Sequence, residues 1–279
     1  ASAVPAFVGY TAKATKRSKN DLHLKAVEIS SFVEFEQYFG DPRLEKIEIA
    51  VSDAPNGGYV VDSFLPASPN YLLYYSIRMF FDNGGGKCYV VSVGVASTGP
   101  SKTGLLKGLN ALKGKDEPTL VVIPEIVKLS YSDYAAVAQA TIRHCGELKD
   151  RFAILDMWCG DKKPDESVAV TTKPPATMSM LDANRKAWIG DLKYAAAYYP
   201  FLKSSLNYFY HLNNGQVPSN VIVAYRGSKR DVCKYSGSNK ALYAFVESAL
   251  KNFFVTLPPS GAVAGVYAAI DRDRGDWKA

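Results

Sequence analysis

Cysteine and histidine are scarce in this chain, with four and three copies among 279 residues. Cys88, Cys145, Cys159 and Cys233 stand far apart and form no CxxC pair. That spacing speaks against a structural zinc site and against a disulfide-stapled scaffold, and buried free thiols are expected. No apolar run approaches the roughly 20 residues that cross a bilayer. The opening ASAVPAFVGY has neither the charged n-region nor the long h-region of a signal peptide, so the chain reads as cytosolic and without direct membrane insertion. Excess charge of one sign is also small, with 33 Lys and Arg against 27 Asp and Glu. The densest basic cluster, Lys13, Lys16, Arg17 and Lys19, has no interleaved aromatics and reads as a solvated loop, with no nucleic acid as partner. No internal repeat is present.

What remains is 47% hydrophobic, 22% charged and 12% aromatic, the profile of a globular protein with a sizeable core. One main domain is expected at this length. Strand-like and helix-like segments alternate. VPAFVGY reads as a strand, and SSFVEFEQYFG as an amphipathic helix capped by Ser30 or Ser31 and stopped at Gly40. EKIEIAV and YVVDSFL flank Asn56, Gly57 and Gly58 and are expected to pair as a hairpin. SPNYLLYYSIRMFFDNGG places Leu72, Tyr75 and Met79 at helical spacing, with Ser68 as its cap. CYVVSV, TLVVIP, RFAILDMW and SNVIVAY are continuous apolar runs, as in strands covered on both faces. The fold class is therefore α/β: a mixed, largely parallel sheet covered by helices, with a β-hairpin and loop insertions. Residues 160–182, rich in proline, threonine and charge, read as an exposed loop or small insertion.

Two glycine-rich stretches raise the question of phosphate binding. In DNGGGKCYVV the glycines follow a helix and precede a strand, the reverse of a phosphate loop, and Lys87 is followed by Cys88. Gly84 to Gly86 are expected to end the helix and reverse the chain. The stretch from Gly94 to Thr103 has the right order of elements, and Asp156 at the end of AILD could imitate a magnesium-holding aspartate. Pro100 and Ser101 break the spacing, and proline removes an amide from the cradle. A phosphate-loop-like nucleotide-binding protein using Gly94 to Thr103 is the alternative reading.

Other constellations are weaker. His144 and Cys145 are adjacent on a helix, so their side chains diverge by about 100° and do not converge as nucleophile and base. A helix-surface histidine beside a core thiol is expected. Asp271, Arg272, Asp273 and Arg274 are expected to neutralise one another or to bridge to a neighbouring subunit. Tyr194, Tyr198, Tyr199, Phe201, Tyr208, Phe209 and Tyr210 read as core and interface packing. No enzyme site emerges from spacing, and no cofactor or metal is called for.

Taken together, VPAFVGYT at 4–11, SFVEFEQYFG at 31–40, YLLYYSIRMFFDNGGGKCYVVSVG at 71–94, RFAILDM at 151–157, YAAAYYPFLK at 194–203 and PPSGAVAGVYAAIDRDRGDWKA at 258–279 resemble the sheath protein of contractile tails. That family is shared by contractile phages, tailocins and phage-like extracellular injection systems. The proline pair, small-residue run and charged tetrad of PPSGAVAGVYAAIDRDRG are the most specific piece.

The resemblance implies a structural subunit, not an enzyme, in a contractile helical sheath that surrounds an inner tube and drives it through a target envelope from a metastable extended state. Implied partners are further copies or paralogous sheath subunits, the inner tube protein, and baseplate and terminator proteins. The implied setting is synthesis in the bacterial cytoplasm, then a virion tail or extracellular tail-like particle. Family members usually carry an N-terminal arm before the VPAF-like strand and a further domain after the WKA-like segment. On that pattern residues 1–257 are the outer body and 258–279 the connecting segment toward a tube-facing domain. Val4, Pro5, Phe7 and Tyr10 then mark where an arm enters. Pro258, Pro259, Asp271, Arg272, Asp273, Arg274 and Trp277 mark the connecting or inter-subunit segment.

Overall fold

Short apolar runs can sit in the middle of a sheet only if both of their faces are covered, and three of those expected do so here. The computed structural model describes residues 3–66, 68–95, 99–213 and 217–274. The chain divides into two compact units: Ala1–Pro42, Asn70–Leu202 and Pro258–Ala279 form the first, Arg43–Pro69 and Lys203–Leu257 the second.

The first unit is built on a six-stranded sheet in the order Ala195–Tyr198, Phe152–Asp156, Leu120–Val122, Pro5–Gly9, Cys88–Ser92, Ala26–Ile29. Neighbours run parallel except for the last pair, which is antiparallel. Successive side chains of a strand point to opposite faces, so Phe7 and Val8 show which helices cover which side. The Phe7 ring lies 5.3 Å from that of Phe80, in the helix Leu73–Asp82. Val8 lies under Gly108 of the helix Lys102–Ala111, beside which packs the long helix Tyr131–Leu148. Phe7, Val90, Val122 and Ile154 share a core with Leu73, Ile77, Phe80 and Ala264. The fold is α/β with a largely parallel main sheet, as the apolar runs predict.

The helix Phe32–Phe39 is capped by Ser31, whose side chain accepts from the Glu34 amide, and it stops at Gly40 with φ 81°. The helix Leu73–Asp82 differs from expectation at its start. Ser68 does not cap it; the carboxylate of Glu125 accepts the amides of Leu72 and Leu73 at 3.0 and 2.8 Å. Its buried residues include Leu73, Tyr75, Ser76, Ile77 and Phe80, while Met79 is half-buried. Leu72 and Tyr75 are thus buried as their spacing predicts, and the buried stripe is wider than that spacing, because the helix is covered by a second helix as well as by the sheet.

The second unit holds a four-stranded sheet in the order Ser228–Asp231, Val221–Tyr225, Ile47–Asp53, Tyr59–Leu65. The expected hairpin forms: Ile47–Asp53 and Tyr59–Leu65 are antiparallel, with φ of 85° and 84° at Gly57 and Gly58 in the turn. SNVIVAY does give a strand, Val221–Tyr225, parallel to Ile47–Asp53, but in this second sheet. The helix Lys240–Leu250 buries Leu242, Val246 and Leu250.

Within 160–182, the strands Ser167–Thr172 and Pro175–Ser179 pair antiparallel and lead into the helix Met180–Ala187. Among the described residues no helix is long and apolar enough to cross a membrane. All four cysteines are free thiols; Cys88 and Cys145 are buried, Cys159 and Cys233 half-buried.

Candidate inter-subunit surface

The small-residue run of PPSGAVAGVYAAIDRDR has a direct steric cause. It forms the helix Ser260–Arg274, which lies against Leu73–Asp82. A Cβ on Gly261 would stand 2.9 Å from the carbonyl carbon of Ser76, with the carbonyl oxygen closer still. A Cβ on Gly265 would stand 2.5 Å from the Phe80 carbonyl oxygen and 3.0 Å from Asn83 Cβ. One turn further on, a Cβ on Gly84 would meet that of Ala269 at 2.9 Å. Gly261, Gly265 and Ala269 thus line the side of the helix that touches a neighbouring backbone. Pro258 and Pro259, both buried, bring the chain to this helix.

The start of the same helix is held by a buried acid. Asp156, 1% exposed at the end of its strand, accepts the Ser260 amide through Oδ1 at 2.8 Å and the Ser260 hydroxyl through Oδ2. Burial pushes its pKa up to about 7, against the pull of both Ser260 hydrogen bonds. Glu125 is the counterpart on the partner helix: fully buried, it is pushed up to about 7 by burial, against the hydrogen bonds from Leu73 and Leu72. Each of the two packed helices therefore has its N-terminal amides held by an acid removed from water. Neither role is visible in spacing, since the partners are 104 and 52 or 53 residues apart.

The residues assigned to an entering arm lie inside the sheet. Val4, Pro5 and Phe7 are buried. The Val4 amide donates to Thr119 Oγ1 at 2.9 Å, and the Ala3 amide donates to Asp271 Oδ2 at 3.2 Å. The first described residue and the terminal helix thus meet at Asp271. Tyr10, half-buried, accepts the Ser101 amide on its hydroxyl at 3.1 Å and shares a hydrogen bond with Ser101 Oγ at 3.0 Å.

In the charged tetrad, Arg272 donates to the Gly84 carbonyl at 2.9 Å and to Asp273 at 3.0 Å. Arg272, Asp273 and Arg274 are exposed, and Trp277 lies outside the described residues. Two further side chains on this helix point to solvent: Val266 and Ile270, 44% and 37% exposed. With Arg274 they recur every four residues, so one stripe of the helix presents apolar and charged groups together. The charged residues are marked in the sequence by their alternation; the exposed aliphatics among so many small residues carry no such mark.

The phosphate-loop alternative falls partly on residues 96–98, outside the described residues. Around it, Ser101 caps the helix Lys102–Ala111 by accepting the Gly104 amide at 3.2 Å, and Lys102 pairs with Asp133 at 2.6 Å. Asp156, cast there as a magnesium holder, has both oxygens engaged by Ser260. Among the described residues no group of three or more His, Cys, Asp or Glu is placed to hold a metal. Of the glycines read as helix punctuation, Gly84 has φ 91° just after the helix end, and a Cβ on Gly85 would meet the Phe80 ring at 2.6 Å; Gly86 is unconstrained on both counts. His144 departs from its expected place on the helix surface: it is 3% exposed.

No family model and no curated protein matches this chain. Solved structures do. The chain is similar to a chain of the anti-feeding prophage helical sheath in the contracted state, with 19% identity and a TM-score of 0.50, covering 100% of this chain and 49% of that one. Chains of two structures of the anti-feeding prophage baseplate are also similar. For the 6-fold symmetrised baseplate the identity is 19% and the TM-score 0.51, over 100% of this chain and 49% of that one. For the contracted state they are 18% and 0.53, over 99% and 51%. The chain has the fold found in chains of the anti-feeding prophage sheath and baseplate, so it is sheath-like in fold, as the sequence resemblance implies. It spans about half the length of the chains it matches.

Proposed function

We propose that this chain is a structural subunit of a contractile helical sheath, without catalytic activity of its own. In this reading residues 1–257 make the outer body, and 258–279 connect it toward a tube-facing domain. The observation that carries the reading is the end-to-end structural likeness to a sheath chain, in which this chain covers 100% of its own length. Identical bodies joined head to tail, with a rotation that does not close, generate a helical cylinder. Main-chain strand exchange keeps neighbours linked while bodies move. The extended cylinder is a trapped state, and contraction releases free energy by forming larger contacts between bodies. No nucleotide is consumed. The glycine-stapled pair of helices suits this role, since it ties the connecting segment closely to the first unit. The exposed Val266, Ile270 and Arg272 to Arg274 are offered as the contact that a neighbouring subunit exchanges.

Partners in this reading are further sheath subunits, the inner tube, the baseplate and a terminator protein. The particle is assembled in the bacterial cytoplasm and acts as a virion tail or a free tail-like particle. The test is reconstitution: the whole reading frame containing this sequence, co-expressed with its tube protein, is inspected by negative-stain electron microscopy. Hollow cylinders around the tube are expected; subunits that stay dispersed beside intact tubes would overturn the reading.

A further inference from the structure

The helices Lys102–Ala111 and Tyr131–Leu148 leave between them a cavity of about 240 Å³. Leu109, Asn110 and Lys113 line it from one side, and Arg143, His144 and Glu147 from the other. His144 is the unusual member. It is 3% exposed, and neither ring nitrogen has a hydrogen-bond partner among the described residues. Buried polar groups in native proteins are nearly always paired, and an orphaned one calls for a reason. The imidazole makes no hydrogen bond to the protein around it, so its two nitrogens contribute nothing to the packing.

The surroundings decide what would complete the ring. Burial holds the pKa of His144 down to about 4, with the Arg151 and Lys113 cations lowering it further and Asp150 and Glu147 opposing them. At neutral pH the ring is therefore uncharged, with one N–H to donate and one lone pair. A cation entering the cavity would meet Lys113 and Arg143. A small anion would meet two cationic tips, the Asn110 amide and the imidazole N–H, beside an apolar wall that strengthens each hydrogen bond. Of the negative charges near the ring, Glu147 lines the cavity and lies 4.0 Å from Arg143 as an exposed i,i+4 pair, while Asp150 is paired with Arg151 at 2.7 Å.

We propose that this cavity seats a small oxyanion, a phosphate or a carboxylate, with the His144 imidazole donating to it from the floor and Lys113 and Arg143 closing on it from the rim. Asn110 supplies a further donor. The seat is independent of the sheath assignment, since it rests on one helix pair within the first unit.

The full chain, with ¹⁵N-labelled histidines, is titrated with inorganic phosphate, and in a second arm with acetate, at constant ionic strength set by chloride. The His144 imidazole signals are expected to shift saturably with at least one of the two anions, while those of His23 and His211 follow no saturation. Which anion saturates distinguishes a phosphoryl from a carboxylate seat. Lys113→Met is expected to weaken the binding about tenfold, as loss of one charge-assisted hydrogen bond does. His144→Gln is expected to abolish it in a calorimetric titration. If that variant does not fold, the wild-type shifts and Lys113→Met still decide. His144 signals that do not move, or that move linearly and in step with His23, would overturn the proposal. So would binding that Lys113→Met leaves unchanged.

Discussion

Gly265→Ala sets two effects of opposite sign against each other. In a helix interior, alanine is favoured over glycine by about 1 kcal/mol, so from local preference alone the variant should be more stable. The structure says otherwise, because the added Cβ would stand 2.5 Å from the Phe80 carbonyl oxygen and 3.0 Å from Asn83 Cβ. Restoring an ordinary contact of about 3.5 Å requires the helix Ser260–Arg274 to back away by roughly 1 Å. The obstacle is backbone within a packed helix and cannot swing aside as a long side chain would. Overpacking of this kind costs about 1–3 kcal/mol, and here the upper part of that range applies, leaving a net loss of about 1–2 kcal/mol. The displacement would also strain the Ser260 clamp on Asp156 at the start of the helix. Urea unfolding followed by the fluorescence of Trp158 and Trp188, both in the first unit, reads this directly. Gly86→Ala, where an added Cβ meets nothing within 4 Å, is the control and should fall within about 0.5 kcal/mol of the wild type. A Gly265→Ala protein as stable as the wild type, or more so, would refute the close-approach argument.

Gly84→Val should cost about 2 kcal/mol in the same assay, because φ is 91° there and Ala269 stands in the way, whereas Gly86→Val should be nearly neutral. Stability should depend on pH through Glu125 and Asp156. Both are raised to about 7 in the folded chain from ordinary values of 4.5 and 3.8, so their contribution is fully present only below those values and is lost as pH rises through about 7. The loss approaches about 1.4 kcal/mol per pH unit for each group. Subtracting the Glu125→Gln and Asp156→Asn profiles from the wild type should isolate it, and superimposable profiles would contradict the burial argument. Mg-ATP should give no binding heat in calorimetry, since Ser101 caps the Gly104 amide and Lys102 is paired with Asp133; micromolar binding lost in Lys102→Ala would reverse that view.

The parts of this molecule that were legible in the sequence are those set by local rules. Ser31 and Gly40 bound their helix because capping and left-handed backbone are decided within one turn. Asn56, Gly57 and Gly58 close a hairpin for the same reason. Continuous apolar runs marked the main sheet, but the same pattern in SNVIVAY gave no sign of which sheet it would join. That choice depends on partners far away in the chain. The Glu125 cap shows the limit well: the amides at the start of the helix, whose N-cap position is Leu72, are held by a carboxylate 52 and 53 residues away in sequence. His144 is buried and not on the surface because its helix is covered on more than one side, so a polar residue adjacent to the core thiol Cys145 is buried as well. The small-residue run was recognised by resemblance; its cause, backbone against backbone at Gly261 and Gly265, appears only when the two helices are seen together.

The central proposal is that this chain is a sheath subunit, and cryo-electron microscopy of particles assembled from the whole reading frame with its tube tests it most directly. The account predicts a helical cylinder around the tube, with Val266, Ile270 and Arg272 to Arg274 at contacts between neighbouring bodies. It also predicts that Ile270→Asp blocks assembly while leaving the fold intact. A tube with no surrounding cylinder, or a cylinder that forms normally from the Ile270→Asp protein with that helix face open to solvent, would contradict it.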